Sequence, residues 1–147
     1  MKIDNSIFQD LVKFYGEAFH LPPLSAKIYA YLIFDFERKG ICFDQFVEIF
    51  HASKSSVSSN LQHLLTSNLI MDFTPIDARK RYFVINPKYI QIRFQEIMRK
   101  MANEIEILDK LHRFRNSDDE NYNEKFEIYK SLLRKNIENI QETLTKL

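Results

Sequence analysis

At 147 residues, 45% hydrophobic and 28% charged, the chain can build one core, or one core with an appendage, and stay in solution. A single cysteine excludes an internal disulfide framework, and two glycines with four prolines argue against a multi-turn β fold. No run approaches 18 apolar residues and the start, MKIDNSIFQD, lacks signal-peptide features, so a cytoplasmic protein without a membrane span is expected.

The net charge of +1 hides an uneven distribution. Residues 1–50 hold five Lys/Arg against seven Asp/Glu, residues 51–100 eight against three, and residues 101–147 eight against ten. Positive charge therefore concentrates in the middle third, where a local field can attract phosphate while the whole chain stays near neutral.

In chain order, Ile7, Phe8, Leu11, Val12, Tyr15 and Phe19 fall at helical spacing over residues 5–19. Leu21-Pro22-Pro23 stops that helix. Ser25 is expected to cap a second helix through Tyr29, Leu32, Ile33 and Phe36. Gly40 ends the next turn, and Ile41-Cys42-Phe43 is long enough only for a stub strand. Asp44 reads as the N-cap of a third helix that turns Phe46, Val47, Ile49 and Phe50 inward.

The run from Lys54 to Leu65 carries the strongest signal. Val57, Leu61, Leu64 and Leu65 form an i, i+4, i+7, i+8 stripe, which predicts an amphipathic helix. The other face holds Ser55, Ser56, Ser58, Ser59, Asn60 and His63, polar but almost uncharged. Five serines in the seven residues 53–59 are poor helix formers, so helix propensity does not explain them. Short hydroxyl and amide side chains suit a helix pressed against phosphates and base edges. Leu69–Phe73 and Arg79–Ile85 then read as a hairpin about a turn at Thr74–Ala78, with Arg79, Lys80 and Arg81 as its basic tip and shoulder. Helix, turn, polar-faced helix, basic hairpin is the order of a winged helix-turn-helix.

After Asn86-Pro87, residues 88–115 run without Gly or Pro and place Ile90, Phe94, Ile97, Met101, Ile105, Leu108 and Leu111 on one stripe. A polar break at residues 116–121 precedes a second amphipathic stretch, 122–147, through Phe126, Tyr129, Leu133, Ile137, Ile140, Leu144 and Leu147. Helices of about 25 residues span roughly 35–40 Å, more than the preceding domain needs for its own core. An intramolecular helical hairpin would use some of that surface. A second copy of the chain is the more economical partner and the expected one, since DNA readers of this type use two-fold symmetry.

The residues from Leu21 to Leu32, those from Ala52 to Leu61 and the Arg79-Lys80-Arg81-Tyr82-Phe83 run resemble the MarR-like regulators of the GbsR branch. The resemblance covers roughly residues 15–100. It implies a homodimeric winged-helix repressor or activator of transcription whose helix at 54–66 enters the major groove of double-stranded DNA. Carried onto this chain, it assigns Ser53, Lys54, Ser55, Ser56, Ser58, Ser59 and Asn60 to the recognition helix and its cap, and Arg79, Lys80 and Arg81 to the wing. Some relatives bind choline-like effectors in an aromatic box. Thirteen Phe and seven Tyr leave room for such a cage, although their spacing is that of a core.

Catalytic patterns are missing. The histidines at 20, 51, 63 and 112 lack metal-ligand spacing, and there is no phosphate-binding loop or nucleophile elbow. Cys42 sits between Ile41 and Phe43, which predicts burial and low reactivity more than redox sensing. The sequence thus predicts a mainly α fold with a small β wing: a winged helix-turn-helix over residues 1–86 and dimerisation helices over 87–147. It predicts a non-enzymatic regulator that needs no cofactor or metal and binds DNA as a homodimer, with a small-molecule effector left open. The competing reading is a winged-helix protein-interaction module without DNA binding, for which the basic hairpin beside an uncharged serine face has no use.

Overall fold

The computed structural model describes residues 1–147, which fall into two compact units, Met1–Tyr89 and Ile90–Leu147. The first unit opens with α1 (Asn5–Ala18), capped by Asp4, whose carboxylate accepts the Ile7 amide at 2.9 Å. The α2 helix (Pro23–Ile33) begins at the second proline of the pair. Pro22 takes the N-cap position and Pro23 the first turn, where a missing amide donor costs nothing. Ser25 is therefore not the cap expected from the sequence. It lies inside α2, fully buried.

A stub strand, β1 (Ile41–Cys42), leads into α3 (Phe43–Phe50). The entry to β1 depends on Gly40, at φ +89, where an added Cβ would come within 2.8 Å of the Tyr82 Cβ. Asp35 fixes the same turn by accepting the Lys39 and Gly40 amides at 3.1 and 2.8 Å. The N-cap of α3 is Cys42, not Asp44: the Cys42 amide donates to the Gln45 side chain at 2.9 Å in a reciprocal capping box. Asp44 is one residue inside the helix, an acid in its first turn.

The α4 helix (Lys54–Thr66) is followed by Ser67 as its C-cap and by Asn68, whose left-handed φ of +60 turns the chain into the sheet. Strands β2 (Ile70–Phe73) and β3 (Tyr82–Ile85) pair antiparallel, Ile70 opposite Ile85 and Phe73 opposite Tyr82. β1 adds to the other side of β3, giving the order β1-β3-β2. The returning strand is shorter than the sequence suggested. Arg79, Lys80 and Arg81 lie in the hairpin loop, not in the strand. Asn86 closes the base of the hairpin, its amide donating to Leu69 O at 3.0 Å and its side chain to Asn68 O at 2.7 Å. Tyr29, Phe46, Ile28, Leu32, Leu64, Ile70 and Val57 form the fully buried centre of this unit.

The second unit consists of α5 (Tyr89–Arg115, which begins at the last residue of the first unit) and α6 (Glu120–Leu144). Asp119 caps α6 by accepting the Asn121 and Tyr122 amides. The helices run antiparallel: His112 stacks on Phe126 with ring centroids 4.3 Å apart, and Tyr129 donates to Glu104 at 2.7 Å. Lys130 is buried and donates to Asp109 at 2.6 Å, with Glu127 at 3.1 Å. That hydrogen bond holds the Asp109 carboxyl below the usual carboxylate range and raises the Lys130 ammonium above its own.

The hairpin changes the reading of the apolar stripes. Phe126 and Leu133 are buried, so they are not surplus surface. The exposed residues cut across those stripes: Leu111 and Tyr129 belong to them, and Ile107 and Phe114 on α5 and Ile128 and Leu132 on α6 do not. No helix is long and apolar enough to cross a membrane.

Candidate nucleic-acid interface

The α4 helix is anchored by Val57, Leu61 and Leu64, all buried, and packs on α2 and α3. Leu65, the last member of the predicted stripe, is half-buried. Ser53 caps the helix by accepting the Ser56 amide at 3.2 Å, which places the next residues in regular helix from Lys54 onward. With the apolar side committed to the core, Lys54, Ser55, Ser58, Ser59 and His63 point to solvent.

Ser55, Ser58, Ser59, Gln62 and Thr66 share one exposed stripe at steps of three and four. Gln62 and Thr66 lie beyond the serine run that marks this face in the sequence. Their side chains meet at 3.3 Å and extend the uncharged face to the end of the helix. Their helical spacing from Ser55 and Ser58 is the sequence signal that points to them.

Asn60 does not belong to this face. Its Oδ1 accepts the Ser25 hydroxyl at 2.7 Å, and its Nδ2 donates to Ser56 O at 2.7 Å. Ser56, also assigned to the contact face by sequence, is half-buried beside it. Asn60 thus fastens α4 to α2, and the fully buried Ser25 is its partner. The Ser25–Asn60 bond, together with the buried Val57, Leu61 and Leu64, sets the rotation of α4 about its axis and so where the exposed serines aim.

The wing stands on the paired strands β2 and β3. Phe73 and Tyr82 stack at 5.9 Å across them. Arg81 donates to Asp72 at 2.9 Å and lies over the Phe83 ring at 5.1 Å. Lys80 approaches Asp44 on α3 at 3.7 Å. Arg79 is exposed at the loop. Both ion pairs are solvent-exposed, of the kind that contributes little to stability. Charge and hydroxyls are thus divided between two elements: cations on a hairpin loop, short neutral hydrogen-bonding groups on a helix face. That division matches the separation of backbone positioning from base readout in duplex recognition.

The remaining candidates are quiet. Cys42 is buried. No three His, Cys, Asp or Glu side chains come together in a way that could hold a metal ion.

No protein-family model matches the chain, and no curated protein sequence matches it. Solved structures do. A protein described as a transcriptional regulator superposes over 96% of this chain and 95% of its own, with a TM-score of 0.60 at 18% identity. MepR, a transcription regulator of the Staphylococcus aureus multidrug efflux pump MepA, aligns with a TM-score of 0.46 at 18% identity, covering 87% of this chain and 89% of its own. The S. aureus MepR–DNA complex aligns at 0.45 and 18%, covering 87% of each chain. The first of these likenesses establishes the fold: a winged helix followed by long helices, of the kind seen in a transcriptional regulator.

Proposed function

We propose that this chain is a MarR-like transcriptional regulator of the GbsR branch that binds double-stranded DNA as a homodimer on an inverted-repeat operator. One observation carries the reading: α4 presents a continuous uncharged stripe, Ser55, Ser58, Ser59, Gln62 and Thr66, in a domain whose hairpin loop bears Arg79, Lys80 and Arg81. The helix enters the major groove and its hydroxyl and amide groups meet base edges. The wing cations neutralise phosphates alongside. Nothing in this role calls for catalysis or a cofactor, and it suits a cytoplasmic protein.

The second copy docks on the helical unit. Ile107, Leu111, Phe114, Ile128 and Leu132 are exposed there, Phe114 to 88%. Apolar surface of this extent on a charged helical hairpin supports a protein interface. A two-fold axis then presents two identical α4 helices to one side of the duplex. Response to a small molecule is part of the proposal, supported by a cavity of about 230 Å³ whose lining includes Tyr15, Phe36 and Tyr89 with Asp35 and Arg38.

Selection of bound sequences from random duplex DNA with the full-length chain tests this reading. The expected result is a palindromic consensus. Enrichment of no sequence at all rejects the DNA-binding role, and an asymmetric consensus rejects the homodimer.

A further inference from the structure

The wing has a feature that its charge does not explain. Ile76 is fully exposed at the apex of the hairpin loop, with 107% relative exposure. Single exposed aliphatic residues are ordinary on protein surfaces. This one is distinguished by its mounting. The Ala78 amide closes the turn onto Pro75 O at 3.1 Å, and the Pro75 ring fixes the backbone just before Ile76. The stem below is braced by the β2–β3 pairing and the Phe73–Tyr82 stack. An apolar side chain is thus held outward on a stiff tip, next to three exposed cations, with Asp77 the one carboxylate at the apex.

We propose that Ile76 is a wedge: the basic wing carries it into the minor groove, where it presses against a base step and makes the protein sensitive to the deformability of DNA flanking each half-site. The inference rests on the DNA-binding reading above. Minor-groove proteins insert aliphatic side chains in this way, partly unstacking a step and bending the duplex. The Ile76 side chain leaves water only if it finds apolar surface, and in a groove that surface is sugar and base. The cost is lowest at pyrimidine–purine steps, which unstack most easily. Specificity then arises at positions that no polar side chain touches. The cations draw the loop to the phosphates on either side but carry no preference among steps.

The test uses the full-length chain and its Ile76→Ala and Ile76→Phe variants. Ile76 makes no packing contribution, so neither substitution threatens the fold. Each protein is put through selection on random duplexes, and the selected operator is labelled with 2-aminopurine at the flanking step. The wild-type chain enriches pyrimidine–purine steps outside the half-sites, prefers them over G·C-only steps by roughly tenfold, and raises 2-aminopurine fluorescence on binding. Ile76→Ala keeps the half-site consensus but loses the flanking preference and the fluorescence rise, and Ile76→Phe retains both. Identical flanking preference and fluorescence in wild type and Ile76→Ala overturn the wedge while leaving the DNA-binding reading intact. Failure of the wild-type chain to bind any duplex overturns both.

Discussion

The Ser25–Asn60 bond makes a sharp prediction about how the recognition helix is held. Replacing Ser25 with Ala removes a fully buried hydroxyl and leaves the Asn60 carbonyl without its 2.7 Å donor. Removing one partner of a buried hydrogen bond costs about 1–3 kcal/mol, against about 1 kcal/mol for the net worth of an average bond. Asn60→Ala removes the second donor to the Ser56 carbonyl and leaves the Ser25 hydroxyl without its acceptor, and should cost about as much. The double variant removes both ends together, so its cost should fall short of the sum by roughly 1–2 kcal/mol. Chemical denaturation followed by circular dichroism reads this coupling from the midpoints and slopes. The DNA readout separates a lock from a reader. If Asn60 positions α4, Ser25→Ala and Asn60→Ala blur the whole half-site consensus alike. Coupling near zero, or an Asn60→Ala defect confined to one base pair with Ser25→Ala silent, refutes the lock.

Arg79→Ala and Arg81→Ala should each weaken binding to most duplexes and flatten the dependence of log affinity on log salt by about one unit for each phosphate left unneutralised, measured by fluorescence anisotropy. Leu132→Glu, in the exposed apolar set of α6, should yield a monomer in sedimentation at micromolar concentration without loss of helix; an unchanged dimer moves the interface elsewhere. For that dimer, half-site centres should lie about 10–10.5 base pairs apart, and inserting about five more should abolish tight binding. The Asp109–Lys130 pair should also give the helical unit an acid limit. Asp109 has a lowered folded value, so its contribution is complete above the ordinary carboxylate range and disappears as pH falls through that lower value. Lys130 has a raised value, so its contribution holds below the ordinary lysine range and is lost only as pH climbs past the raised one. Melting curves between about pH 2 and pH 5 should show the acid loss, and Lys130→Met should flatten it.

Much of this architecture was legible because periodicity is local. Val57, Leu61 and Leu64 recur at helical spacing, and the structure buries all three. The stub strand at Ile41–Cys42 followed from its length between Gly40 and the next helix. Helix caps were less legible: Ser25 and Asp44 have the right chemistry for N-caps, but Pro23 starts α2 earlier and a Cys42–Gln45 box starts α3 earlier. The Asn60 role could not be read from its own helix, because Ser25 lies 35 residues away and no pattern announces a single long-range hydrogen bond. The α6 stripe misled for a related reason. Phe126 and Leu133 have the periodicity of an interface but are buried, with His112 of α5 stacked on Phe126, whereas Tyr129 of the same stripe is exposed along with Ile128 and Leu132.

The most direct test of the central claim reverses the electrostatics of the α4 face. Ser58 and Ser59 are exposed, so Ser58→Glu/Ser59→Glu disturbs no core packing, and Glu is a better helix former than Ser. Two carboxylates at a major-groove surface meet phosphates of like charge, which costs several kcal/mol. Titration of the selected operator at one fixed salt concentration should show affinity falling at least a hundredfold while the melting temperature and dimer hold. Unchanged affinity in a folded, dimeric variant would contradict the assignment of α4 to DNA.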